Sequence, residues 1–345
     1  MSERSLLDHP LAQLTVVRFR EFLREPEALF WVFVFPILLT AGLGIAFRNR
    51  PADVIPIVTP SADLARALRT GRGLDVRQLP AAEAEEQLRS GKAALEVTAA
   101  PPGAIFRYDD TNPEGRTARM LADAAIQRSA GRADPVRSVD SLVREPGSRY
   151  IDFVVPGLLG MNLMGSAIWG MGFAIVDARR KNLMKRLVAT PMPRRYYLAS
   201  FMLSRLVLLV VEVAAVLGFA TLAFGVPLRG PLAVLAGMCV LGSMSFCALG
   251  LLIASRVRTL EAASGLMNAA MMPMWVLSGV FFSSTRFPDA VQPFIRALPL
   301  TAAIDALRAN MLQGAGVAQV APEAAVLAVW IVVCFSLALK LFRWK

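Results

Sequence analysis

The sequence predicts an all-α polytopic membrane protein with six transmembrane helices and an extracytoplasmic α+β domain inserted between the first and second. Three observations predict it. Apolar residues make up 55% of the 345 residues and mean hydropathy is +0.51, more than a soluble domain of this size carries. The excess gathers in runs of about 20 residues, each roughly 30 Å long as a helix, which matches the hydrocarbon thickness. Residues 48–150 read differently, as short strand and helix patterns in alternation.

The elements follow in chain order. Residues 1–26 predict a cytoplasmic, interfacial amphipathic helix, with Ala12, Val16, Phe19 and Leu23 on one face and Arg18, Arg20, Glu21, Arg24 and Glu25 on the other. Residues 27–47 form the first span, kinked at Pro36. The run is too long for a secretory signal and lacks a small-residue cleavage motif, so it reads as an uncleaved anchor.

In the 48–150 block, residues 55–58, 74–79, 93–97 and 104–110 read as strands, and 62–68, 81–88 and 114–129 as helices. Asp109, Asp110 and Glu114 lack the glycine-centred acidic loop of an EF-hand and read as a solvated turn. Residues 151–345 supply five more helices: Ile151–Val176, Leu198–Phe224, Leu232–Ala254, Ala262–Phe282 (interrupted by Pro273) and Ala324–Phe342. Residues 283–316 are too proline-broken to span and too apolar for a free loop, and predict short helices tucked at the membrane surface, the segment that the resemblance described below implies is an outer re-entrant region.

Charge sets orientation. The net charge is +11, yet residues 48–150 hold 16 basic and 14 acidic groups, and the other basic residues flank or lie within apolar runs. That distribution anchors a membrane and excludes a nucleic-acid stripe. Between short loops and tails, 15 Lys and Arg fall on one side and 4 on the other. The richer side is cytoplasmic, which puts both termini inside and the 48–150 domain outside. Cys239, Cys247 and Cys334 lie within apolar runs and His9 stands alone, so no disulfide, zinc or histidine chemistry is encoded. Gly91-Lys92 lacks the rest of a phosphate-binding loop.

Within the spans, polar residues stand out because their burial in hydrocarbon is costly. Arg205 and Glu212 lie on one helical face at i, i+7, too far apart for a direct pair without a third group. Arg205 is expected to reach toward the cytoplasmic headgroups, leaving Glu212 for an interhelical hydrogen bond or the pathway. Asn162, Ser166 and Trp169 in the second span, and Asn268 in the fifth, sit among methionines and glycines that suit either helix packing or a surface for varied apolar ligands.

The most charged stretch is 177–197, with seven basic residues against one acid. Leu183, Leu187 and Val188 make an apolar stripe, Lys181, Lys185 and Arg186 surround it, and Thr190-Pro191 with Pro193 ends the helix. Such a helix either marks the cytoplasmic side or docks its stripe in a partner's groove. This loop, with Phe287-Pro288, Leu298-Pro299-Leu300, Leu307-Arg308 and the order of spans, resembles the permease subunits of ATP-binding-cassette transporters of the type-2 exporter family. The loop departs from many members at Ala178, Arg180 and Asn182-Leu183, where they carry glutamates and a Gly-Thr pair.

The resemblance implies a transport subunit, not an enzyme, in the bacterial inner membrane, binding no cofactor of its own. ATP and magnesium would be held by partner ATPase subunits in the cytoplasm. It also implies a second permease copy, in a homodimer surrounded by lipid, and no nucleic-acid partner. Arg180, Lys181, Leu183, Lys185, Arg186, Leu187, Thr190 and Pro191 become the ATPase-coupling residues, and Asn162, Ser166, Trp169, Glu212 and Asn268 the intramembrane polar candidates. A different class, a membrane-anchored assembly or sensor protein binding a partner through its external domain, is also compatible with the residues.

Overall fold

A computed structural model of the chain describes residues 10–48, 54–101, 103–132, 147, 149–181, 194–257 and 259–341. The chain divides into two compact units, Met1–Arg48 with Val143–Lys345, and Asn49–Leu142.

The smaller unit is built from β1 (Ile55–Thr59), α4 (Ala62–Arg69), β2 (Leu74–Gln78), α5 (Ala81–Arg89), β3 (Leu95–Ala100), β4 (Gly103–Arg107) and α6 (Pro113–Ser129). Local signals start its helices. The Ser61 hydroxyl accepts from the Leu64 N–H, and Asn112 caps α6 with Pro113 at the first turn. The sheet order is β2-β1-β3-β4, with β1 parallel to both β2 and β3, and β4 antiparallel to β3. The helices following β1 and β2 are the crossovers that parallel pairing requires. Alternate residues of β1 then serve opposite faces. Ile55 and Ile57 join Leu68, Leu95, Val97 and Ala118 in one cluster, while Val58 packs with Ala84 and Ala93 in another. Glu96 is buried on β3, and Arg107 answers it at 3.1 Å while also reaching Glu85 at 3.0 Å. The hydrogen bond to Glu85 first, and the Glu96 charge second, hold the Arg107 pKa above its ordinary value.

The larger unit opens with α1 (Pro10–Leu23), then a span made of α2 (Pro26–Leu29), a π-helical turn (Phe30–Val34) and α3 (Phe35–Arg48). It resumes with α7 (Tyr150–Arg180), α8 (Arg194–Phe224), α9 (Leu232–Ala254), α10 (Leu260–Leu277), α11 (Gln292–Ala297), α12 (Pro299–Gln313) and α13 (Ala321–Leu341). Among the described residues, five helical stretches are long and apolar enough to cross a membrane: Pro26–Ala46, Tyr150–Arg180, Leu203–Phe224, Leu232–Ala254 and Ala321–Leu341. The expected fifth span is shorter than anticipated. α10 has 18 residues, includes Glu261, Asn268 and Pro273, and ends before Gly279 turns with φ of 77°.

Helix α7 is the centre of the unit. Of its most apolar window 78% is buried, against 50% for α9, 28% for α8 and 17% for the first and last spans. Glycine makes this closeness possible. A Cβ at Gly157 would strike the Val280 backbone, one at Gly160 the Ile304 side chain, and one at Gly250 of α9 the Ile168 backbone. Helix α12 packs into the same core through Leu300, Ile304, Leu307 and Met311.

Helix α1 packs on α8 with Thr15 buried and Phe22 against Phe33 at 6.3 Å between centroids. Val16 and Leu23 of the expected apolar face remain exposed, 37% and 48%. Neighbouring α8 claims the adjacent face, and Val16 and Leu23 are left for a lipid or headgroup environment.

Candidate functional site: a polar network inside the helical bundle

The spans place four polar side chains from three helices within hydrogen-bond reach. On α8, Arg205 Nη1 lies 3.3 Å from Glu212 Oε2. The third group is Ser166 of α7, whose hydroxyl accepts from Arg205 Nη2 at 2.8 Å and contacts Glu212 Oε1 at 2.8 Å. Ser243 of α9 accepts from Arg205 Nε at 3.2 Å. Glu212 is fully buried and the Arg205 side chain only 14% exposed.

The expectation that Arg205 reaches the headgroups is therefore corrected. Helical side chains lean toward the N-terminus, so Glu212 tilts back toward Arg205 and the guanidinium spans the remaining gap. A charge left alone in this setting is expensive, whereas a pair with satisfied donors is tolerated.

The Ser166 hydroxyl has one proton and two acceptors at 2.8 Å, Glu212 Oε1 and the Asn162 carbonyl. The carbonyl already has its helical donor, and the carboxylate is the stronger acceptor. The serine proton therefore belongs to Glu212, with Arg205 donating to the serine oxygen.

One helical turn before Ser166, Asn162 extends the polar path to the first span. Its Nδ2 donates to the Val32 carbonyl at 3.1 Å. The α-helical donor for that carbonyl would be residue 36, which is proline and has no N–H. The Pro36 carbonyl in turn accepts from the Thr40 hydroxyl at 2.7 Å. Proline, π-turn and asparagine thus form one device that satisfies a backbone group in a segment where water is scarce.

Of the intramembrane candidates, Asn162, Ser166 and Glu212 are brought together. Trp169 lies outside this cluster, tilted against Phe173 at 4.7 Å between ring centroids, and Asn268 is exposed on α10. Ser243 is a member that the sequence did not single out, and Arg205 is one that it singled out but assigned to the headgroups. The signal for Ser243 was a serine at mid-span; that for Arg205 was its face shared with Glu212.

At the opposite end of α7 a second arginine joins three elements. Arg308 of α12 donates from Nη2 to the Phe153 carbonyl at 3.3 Å and the Gly279 carbonyl at 3.0 Å, with its guanidinium 3.9 Å from the Phe153 ring centre. Asp305 is its ion-pair partner at 3.5 Å. Tyr150 donates to the Phe281 carbonyl at 3.0 Å. The chain after α10 is thereby fastened to α7 and α12.

Among the ATPase-coupling candidates, Arg180 is exposed at the last turn of α7, and Lys181 pairs with Asp177 at 2.8 Å. Leu183, Lys185, Arg186, Leu187, Thr190 and Pro191 lie outside the described residues. Among the described residues no group of three His, Cys, Asp or Glu side chains gathers to hold a metal.

A family profile described as ABC-2 family transporter protein matches residues 26–340. The chain is 28% identical over 224 residues to ABC transporter G family member 20 of Dictyostelium discoideum, covering 63% of this chain and 31% of that protein. It is 27% identical over 139 residues to the putative transport permease YvfS of Bacillus subtilis, covering 40% of this chain and 56% of that protein. The matches thus span about a third of the first relative's length and just over half of the second's.

Proposed function

The chain belongs to the ABC-2 transporter family, as a multi-pass membrane component of that class of transporter, and from that premise we propose that it is the permease of an ATP-driven exporter. The observation that carries the reading is the family match across residues 26–340, which takes in every candidate span but for the last residue of the final one. Two copies surround the pathway, and separate cytoplasmic ATPase subunits bind and hydrolyse magnesium-ATP. Six spans, with α10 as the fifth, put both termini in the cytoplasm of a bacterial cell and residues 48–150 outside its inner membrane.

The 177–197 loop is the part the ATPase moves. Arg180, Lys181, Lys185 and Arg186 meet an acidic rim on the ATPase, while Leu183 and Leu187 enter its groove on a helix that Thr190-Pro191 ends. The Arg205–Ser166–Glu212 network binds α8 to α7, so the two helices that flank the loop move as one body. Asn162, Ser166 and Glu212 serve that scaffold, and Trp169 and Asn268 are the candidates facing substrate.

The test is to purify the chain with the P-loop ATPase encoded beside it. Stable complex formation and hydrolysis that transported compounds accelerate support the permease reading. A chain that recruits no ATPase and whose 48–150 domain captures a partner instead establishes the assembly or sensor reading.

A further inference from the structure

The end of α7 and the connection from α9 to α10 are joined by one side chain. Arg179 Nη1 donates to the Ala254 carbonyl at 3.2 Å and the Val257 carbonyl at 2.9 Å, and Nη2 donates to the Ser255 carbonyl at 3.4 Å. Ala254, Ser255 and Val257 are buried. Carbonyls at a helix C-terminus lack intrahelical donors and concentrate negative potential, so a guanidinium fork suits them.

The geometry on either side of this contact is tight. Two residues on from Val257, the Thr259 hydroxyl accepts from the Ala262 N–H at 3.2 Å and starts α10. Two residues on from Arg179, Lys181 is tied back to Asp177 at 2.8 Å. The basic block is thereby divided in role. Arg180 is exposed, while Arg179 is turned toward the end of α9.

We propose that Arg179 is a positioning residue that carries movement of the central loop to α10. Lifting or tilting the end of α7 pulls on three carbonyls of the α9–α10 connection, and α10 follows with its exposed Asn268 face. The proposal rests on the reading that an ATPase moves the 177–197 loop. A purely topogenic arginine, by contrast, needs only to lie in the cytoplasmic headgroup layer and makes no such clasp.

Two measurements on the full chain test it. In lipid nanodiscs without any ATPase, Arg179→Ala should raise hydrogen exchange of the 255–262 amides about tenfold, since a charged hydrogen bond of that strength is lost. Exchange in the middle of α7 should stay unchanged. Unaltered exchange at 255–262 overturns the clasp, whatever the ATPase does.

In the complex with the ATPase, a spin label at exposed Ala262 should move on ATP binding in the otherwise wild-type protein. In Arg179→Ala, ATP hydrolysis and complex formation persist, the label movement disappears, and transport per ATP falls roughly tenfold. Arg179→Lys, which keeps the charge but not the fork, recovers part of both. Full label movement and unchanged transport per ATP in Arg179→Ala overturn the transmission role. A wild-type chain that binds no ATPase removes the permease reading and this role with it, while the exchange result still decides the clasp.

Discussion

The side-chain amide of Asn162 donates to the Val32 carbonyl, and Pro36 is the reason that carbonyl needs it. The two residues are 130 positions apart, and the hydrogen bond is 3.1 Å long in a buried setting. Asn162→Leu should therefore cost about 1–2 kcal/mol, the penalty for an unsatisfied carbonyl among packed helices. Pro36→Ala restores an N–H at the position that α-helical geometry would use. The double variant should accordingly unfold closer to the wild type than Asn162→Leu alone, in a thermal or denaturant titration of the detergent-solubilised protein. Additive losses in the two single variants would show that the carbonyl is not the link between them.

The ion pair between Arg205 and Glu212 predicts an asymmetry of a different kind. Removing one partner leaves the other uncompensated in a bundle where Glu212 has no exposure. Arg205→Met should destabilise the protein by about 3 kcal/mol. Arg205→Met combined with Glu212→Leu should be milder than that single change, because no buried charge remains. Ser166→Ala, which removes the shared hydroxyl but leaves the ion pair, should fall between wild type and Arg205→Met. A double variant that is worse than either single would assign the stability to packing volume instead.

Glycines along α7 offer a matched comparison. Gly157 abuts the Val280 backbone, whereas nothing lies within 4 Å of a Cβ at Gly165. Gly157→Ala should lower stability by about 1–3 kcal/mol through overpacking against backbone that has no rotamer to change. Gly165→Ala should be neutral or gain up to about 1 kcal/mol from helix propensity. Unfolding midpoints of the two variants, measured side by side, decide the matter. Equal losses would mean that α7 does not approach the 280 region this closely.

How much of this was legible in the sequence depends on the range of the interaction. The strands and helices between Ile55 and Ser129 carry local signals: alternation, Ser61 and Asn112 as caps, Pro80 and Pro113 at helix starts. The observed boundaries accordingly fall within a few residues of those read from sequence. The long apolar runs announce helices for the same reason, since length and composition are properties of one segment. Marginal cases fail at Asn268 and Pro273, where α10 is too short and too polar to be placed by composition alone.

Contacts between segments were not legible. Seven residues put Arg205 and Glu212 about 10 Å apart along the helix axis, and the lean of the glutamate with the reach of the guanidinium closes that gap to a direct 3.3 Å pair without a third group. Arg179 belonged to a charge block read as topogenic, and nothing in its neighbours says that it reaches the carbonyls at the end of α9. Amphipathicity describes a helix by itself, so the packing of α1 on α8, with Thr15 buried between them, was not legible either.

The last prediction concerns the loop that the proposed permease reading makes central. Lys185 and Arg186 lie at its middle, beside the Leu183 and Leu187 stripe. On the docking reading proposed above, reversing both charges, Lys185→Glu with Arg186→Glu, replaces attraction to an acidic rim with repulsion, which costs several kcal/mol when like charges are juxtaposed at an interface. The loop also orients the membrane, so topology must be held fixed. With five other cationic side chains left in 177–197, the cytoplasmic side retains its excess of Lys and Arg. The double variant should therefore insert and fold normally, as judged by protease accessibility of the 48–150 domain. Binding of the ATPase should weaken by at least tenfold and substrate-stimulated hydrolysis should vanish, recovering in part as an ATPase variant with compensating basic residues is supplied. The effect should shrink at high salt, because a rim contact is screened within about 10 Å at 0.1 M ionic strength. Normal stimulation of hydrolysis by the correctly inserted double variant would place the docking surface elsewhere on the cytoplasmic side.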